Sequence, residues 1–354
     1  MSAIVDTPEE AAELDQPPLL IRRPLEAYLD HHELGSGPVE AQAIGDGHSN
    51  ITYLIRRGHD EWVLRRPPRP PLPPSAHDVL REHRLLAAIK DTSARVPRVT
   101  LACEDESVIG APFYLMERVE GEVITTTLPD SLHAPQERRR ITDELVDALA
   151  EVHALDWQGC GLEGYGRPTG YLERQLRRFA GLWEHSKTRE IATLDRVTEW
   201  LRSEQPESPP ATIVHGDYRL GNTMFGPTAP ARLVAIFDWE LATIGDPLAD
   251  LGYLTATYPE PGDTGGTIFG LATVTTLPGF PGREELIARY EQRSGRSMSS
   301  VRWYQALALW KSAVFLEGSY KRLLSGTTDD PFFRMLDAGV PELAERAWTV
   351  AGGD

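Results

Sequence analysis

The feature that most constrains this chain is a change of hydrophobic period part-way along it. Residues 39 to 66 read as three short strands, VEAQAI, ITYLIRR and EWVLRR, joined by GDGHSN and by a turn at Gly58 to Asp60. The pattern predicts an antiparallel meander. The stretch PPRPPLPP at 67 to 74 lacks the backbone donors of a helix or central strand. It hands over to SAHDVLREHRLLAAIK, with Ser75 as N-cap and Val79, Leu85, Leu86 and Ile89 at helical spacing. Two further strands are predicted from RVTLACE near 98 to 104 and PFYLMERV at 112 to 119. From Pro135 onward the period becomes helical: Ile141, Leu145, Leu149 and Val152 fall on one face of ERRRITDELVDALAEVHALD. More helices are predicted at 170 to 185, 189 to 204, 283 to 294, 299 to 325 and 333 to 350. The two textures predict an α+β chain, a small antiparallel-sheet N-lobe at 25 to 120 and a larger, mainly helical C-lobe at 121 to 354. Residues 1 to 24, carrying Asp6, Glu9, Glu10, Glu13 and Asp15, read as a flexible acidic tail.

The 354 residues suffice for about two domains with real cores. Lys+Arg 36 against Asp+Glu 53 gives a formal charge of −17, which argues against general affinity for nucleic acid or anionic membrane. Arginine carries nearly all the positive charge, because lysine occurs only at Lys90, Lys187, Lys311 and Lys321. Cys103 and Cys160 form neither a disulfide framework nor a zinc spacing, so a reducing compartment is expected. No basic, apolar leader and no run of about 20 apolar residues is present, and the expectation is a cytoplasmic protein.

The chemistry concentrates between residues 212 and 240, where TIVHGDYRLGNTMF and ARLVAIFDWE read as two short apolar strands with polar ends. Asp217 is followed five positions later by Asn222, and Asp238 ends the strand LVAIFD. Transfer of a phosphoryl group from ATP needs a carboxylate that orients and deprotonates the attacking hydroxyl, and hard oxygen ligands for magnesium. Asp217 suits the first task, and Asn222 and Asp238 the second. The spacing H-x-D-x-x-x-x-N matches the kinase catalytic-loop pattern, with Trp239 and Glu240 in place of the Phe and Gly of D-F-G.

HGDYRLGN together with FDWELATIGDPLADLGY resembles the aminoglycoside phosphotransferase-like family, over residues 39 to 325. Within it, the chain is most similar to the kinase-like domain attached to some acyl-CoA dehydrogenases, which shares a G-x-G-x-S-N loop followed by a strand ending in Leu-Arg-Arg or Leu-Arg-Lys. The resemblance implies a bilobal protein-kinase-like fold and an ATP- and magnesium-dependent transferase acting on a small hydroxyl-bearing acceptor. In the N-lobe, Gly45 and Gly47 of GDGHSN would let backbone N–H groups approach phosphate, with Ser49 and Asn50 beside them. Arg65 stands where the family places a strand lysine, and Glu82 is the matching helix acid. By position, Met116 lines the purine slot and the backbone of Glu117 to Val119 bonds the base. Asp246 and Asp250 take structural roles, Asp246 capping a helix and bracing the catalytic loop.

The blander readings run beside these. His215 orders its loop by hydrogen bonding, and His153 is a satisfied core histidine. Trp303, Tyr304, Trp310, Phe315 and Tyr320 form an aromatic stripe that is core before it is acceptor pocket, with Glu317 and Arg322 open between the two. GDGHSN alone is a hairpin turn, and Arg65 with Glu82 alone a surface ion pair. Two other functions are open: a nucleotide-sensing pseudokinase, favoured by the missing lysine, and a metal-dependent phosphoesterase using His215 and Asp217.

Overall fold

A computed structural model of the chain describes residues 4–45, 50–70, 72, 77–263, 270–328 and 331–353. They form two compact units, one of residues 1–92 with 96–120 and the other of residues 93–95 with 121–354.

The first unit is built on an antiparallel sheet of β3 (Glu40–Ile44), β4 (Ile51–Arg57), β5 (Asp60–Arg66), β6 (Val99–Cys103) and β7 (Phe113–Glu117), in the order β3-β4-β5-β7-β6. Tyr53, Ile55, Leu64, Phe113 and Leu115 fill one face of it. Onto that face pack Leu25 and Leu29 of α2 (Arg22–His31), a helix that the sequence reading left unassigned. The supposed acidic tail is also structured. β1 (Ile4–Val5) pairs in parallel with β2 (Leu20–Ile21), and α1 (Pro8–Ala12) lies between them behind a Thr7 cap. The acidic residues of α1 sit on its outer surface, while Leu20 is wholly buried. The count of charges hid the apolar pairs on either side. The helix after the proline stretch, α3 (Val79–Ile89), is capped by Asp78, whose carboxylate accepts the Arg81 N–H at 2.9 Å. Ser75, read as the cap, lies outside the described residues.

In the second unit, β8 (Glu122–Val123), β10 (Thr223–Phe225) and β11 (Leu233–Ile236) make a small antiparallel sheet, and β9 (Thr212–Val214) pairs with β12 (Thr243–Gly245). What reads in sequence as one strand from Thr212 to Phe225 is therefore two, with a loop between them. Around these sheets lie α4 (Pro135–His153), α5 (Tyr171–Ser186), α6 (Ala192–Ser203), α7 (Leu248–Ala256), α8 (Arg283–Ser294), α9 (Val301–Leu324) and α10 (Leu336–Ala351). The predicted apolar face of α4 is buried. Packing of α7 on α9 is close: a side chain at Gly252 would come within 2.5 Å of Tyr304. Arg95 binds this unit through paired bonds to Glu151, both 2.9 Å, and a third to Glu144 at 2.5 Å, while its carbonyl accepts the Ile236 N–H. The expected α+β composition is thus present, a sheet-rich unit and a mainly helical one. No helix among the described residues is long and apolar enough to cross a membrane.

Candidate active site

β9 ends at Val214 and delivers His215 and Gly216 onto a buried carboxylate. Asp250, in the first turn of α7, accepts the His215 N–H at 2.6 Å and the Gly216 N–H at 2.8 Å. Its third donor is His153 Nε2 at 3.1 Å, and Tyr290 donates to His153 Nδ1 at 2.7 Å. Burial alone would raise the Asp250 carboxyl, but His153 and the loop N–H groups hold it below the usual range, whereas burial pushes His153 down. The reading of His153 as a satisfied core histidine stands. The brace on the loop is Asp250, not Asp246. Asp246 accepts from the Leu248 N–H at the start of α7 and from the Tyr304 hydroxyl, and does not contact the loop through either bond. Gly216 has φ +89°, and a Cβ there would meet the Leu241 carbonyl at 2.9 Å, so the backbone turns where only glycine fits.

His215 is fully buried. Its Nδ1 accepts the Asp217 N–H at 3.2 Å and its Nε2 faces the Phe237 carbonyl at 2.8 Å, which fixes the Nε2–H tautomer and ties the loop to the residue before Asp238. It organises the loop, as read from sequence.

Asp217 is half-buried. Asn222 Nδ2 donates both to its carboxylate at 2.7 Å and to its carbonyl at 2.8 Å, and Arg219 Nε stands 3.6 Å from the same carboxylate oxygen. The ladder register Thr223↔Ile236, with the Phe237 N–H donating to the Asn222 carbonyl at 2.8 Å, places Asn222 and Asp238 at one end of the β10–β11 pair. Asp238 adopts φ +65°, ψ 57°, a left-handed conformation that a non-glycine residue holds only when its surroundings enforce it. The donor set suits magnesium: the amide nitrogen of Asn222 is bound to Asp217, which directs the amide oxygen elsewhere, and Asp238 adds a carboxylate. Among the described residues no three His, Cys, Asp or Glu side chains gather as a metal cluster.

One residue of this centre escaped the sequence. Tyr253, three positions after Asp250 and so on the same side of α7, is within electrostatic reach of Asp217; burial first, and Asp217 second, push its phenol well above the usual tyrosine range. Reading 248 to 256 as a helix would have found it.

In the first unit, Arg65 Nε donates to Glu82 Oε2 at 2.8 Å, and Glu82 is 2% exposed. This is a buried pair, not a surface one. Gly45 has φ +79° at the end of β3, and Asn50 is buried at the start of β4. Gly47 and Ser49 lie outside the described residues. Met116 is buried between Val63 and Val99 in the sheet register. The Glu117 N–H donates to the Arg98 carbonyl at 2.8 Å, and Val119 lies beyond the strand end. In the C-terminal stripe, Trp303, Tyr304 and Trp310 are core, Phe315 is exposed, and Glu317 is buried under Thr188 and Arg189.

A profile of the phosphotransferase enzyme family matches residues 40–304. The Mus musculus protein named acyl-CoA dehydrogenase family member 10 is 34% identical over 330 residues, 92% of this chain but only 30% of that relative. The chain therefore spans well under half the length of the curated relatives it matches. A solved structure from Ralstonia eutropha, provisionally named an aminoglycoside phosphotransferase, is 34% identical with a TM-score of 0.81, covering 93% of this chain and 97% of that one. An aminoglycoside phosphotransferase solved with AMP-PNP and hygromycin B shares the fold, at 15% identity and a TM-score of 0.61, over 94% of this chain and all of that one.

Proposed function

From a chain that belongs to the phosphotransferase enzyme family, we propose an enzyme that transfers the γ-phosphate of ATP to a hydroxyl group of a small molecule, with Asp217 as the base. The observation that carries this reading is the Asp217 carboxylate held by Asn222, with Asp238 in a left-handed turn at the end of the adjoining strand. Asp217 accepts the proton of the acceptor hydroxyl as its oxygen attacks phosphorus. Asn222 keeps that carboxylate in one orientation, and the Asp250 brace keeps the loop backbone still while it acts. Asn222 and Asp238 would hold magnesium, which would supply positive charge to offset that of the phosphates. Arg65, presented by Glu82, takes the nucleotide phosphates in place of a lysine. The acceptor is an aminoglycoside-like or hydroxyacyl-type metabolite; the hydroxyacyl class draws support from the names of the curated relatives.

The test is ATP consumption by purified protein across aminoglycosides, sugars, amino alcohols and hydroxyacyl thioesters, with Asp217→Asn in parallel. Loss of about 10²–10⁴-fold in turnover with retained nucleotide binding is expected. Full activity in Asp217→Asn would sink the mechanism. Arg65 in the lysine position favours a second reading, a catalytically weak nucleotide sensor; it predicts ATP binding with no transfer to any acceptor.

A further inference from the structure

The second unit holds a cavity of about 290 Å³, lined by Gly166, Arg167, Tyr171, Arg174, Gln175 and Thr243. Among the described residues two arginines line it and no acid does. In this chain of net charge −17, other arginines such as Arg95, Arg189 and Arg283 are answered by carboxylates. Those of the cavity are not. The terminal nitrogens of Arg174 donate to the carbonyls of Thr169 and, at 2.5 Å, Arg167, which fixes the guanidinium without neutralising it. Among the described residues the exposed Arg167 side chain makes no ion pair or hydrogen bond. Glu173, the one acid in the first turn of α5, pairs with neither arginine.

Tyr171 adds a neutral donor. It is 5% exposed, with its ring against Gly245, where a side chain would have no room. Among the described residues its hydroxyl makes no hydrogen bond. Burial first, then Asp250 and Asp246, push this phenol up against the pull of Arg174 and Arg178, so it keeps its proton to donate. Two guanidinium groups and a phenol around a recess without acid suit an anion, since carboxylate and phosphate oxygens accept from all three. Arg174 is already held, so little side-chain freedom is lost when such a group binds. An amine would meet like charge.

The strand register relates the cavity to the base. Thr243, on its wall, stands opposite Val214 in the β9–β12 pair, and Asp217 follows Val214 by three residues. The Cα atoms of Thr243 and Asp217 are therefore no more than about 16 Å apart, within the span of one small molecule. Leu241 supplies an apolar step beside the loop: its carbonyl and Cβ lie against Gly216, and it stays 57% exposed.

Resting on the kinase reading above, we propose that this cavity is an anion subsite for the acceptor. Arg167, Arg174 and Tyr171 hold a carboxylate or phosphate at one end of an aliphatic acceptor, whose chain crosses Leu241 and whose hydroxyl at the other end reaches Asp217.

Four probes share a six-carbon chain with a hydroxyl at one end: 6-hydroxyhexanoate, 6-hydroxyhexyl phosphate, 1,6-hexanediol and 6-amino-1-hexanol. Wild-type enzyme should show a KM at least about tenfold lower for the two anions than for the diol, and use the amine least. The order of the two anions tells carboxylate from phosphate. Arg167→Gln, which breaks no side-chain contact of the fold, should remove most of that advantage, and Arg167→Lys should recover part of it. Tyr171→Phe, which keeps the ring on Gly245, should remove a smaller share, about threefold. Equal KM for anions and diol in wild type, or an unchanged ratio in Arg167→Gln, would overturn the inference and leave the kinase reading standing. If wild type transfers phosphate to none of the four, calorimetry of 6-hydroxyhexyl phosphate against ADP-loaded protein decides. Binding weakened about tenfold or more in Arg167→Gln upholds the subsite, whereas equal binding, or none to wild type, ends it.

Discussion

Asp250 and Glu82 are both buried carboxylates that hold a functional element, and they do so in different ways. Asp250 holds two backbone N–H groups and a histidine that itself leans on Tyr290, all of them parts of the scaffold. Glu82 holds a side chain, Arg65, with three rotatable bonds or more and a guanidinium that phosphate can also bind. The first carboxylate fixes a backbone, and the second presents a group that can be shared. The proposed transfer would call on both: a base that does not move and a cation that can turn toward a nucleotide.

Removing the scaffold carboxylate should do the most damage. Asp250→Ala leaves two loop N–H groups and His153 without their acceptor, and about 3–5 kcal/mol of unfolding free energy is expected to go, with turnover falling alongside. Denaturant titration measures it, and wild-type stability in this variant would break the distinction. Arg65→Met should cost less stability, about 1–3 kcal/mol for the stranded Glu82, while raising the KM for ATP about tenfold or more. If its KM for ATP were unchanged, Arg65 would be a structural partner like those of Asp250. The smallest effect is expected from Tyr253→Phe, which keeps the ring and removes the phenol hydroxyl within electrostatic reach of Asp217: a drop in kcat of about three- to tenfold, with the KM for ATP held. A change in KM alone would place Tyr253 outside the base's support.

The legible parts of the molecule are those whose signal is local. Short strand-like runs between turn residues marked β3, β4, β5 and β7, the α4 face was correct residue by residue, and the spacing of Asp217, Asn222 and Asp238 located their loop and strand ends. The rest depends on contacts far apart in sequence. Helix α7 is buried on nearly every side, so it shows no amphipathic stripe, and missing it concealed both the Asp250 brace and the nearness of Tyr253 to the base. The pairing of Ile4 and Val5 with Leu20 and Ile21 joins two dipeptides across an acidic helix, too short for any window to register.

The left-handed turn at Asp238 sets the terms on which that residue can be replaced. Glycine would adopt this backbone freely and asparagine nearly so, whereas alanine would lose the carboxylate and meet the backbone penalty together. The chain keeps an aspartate where glycine would sit more comfortably, so stability is given up at the point where charge is wanted. Backbone comfort and negative charge pull against each other at residue 238.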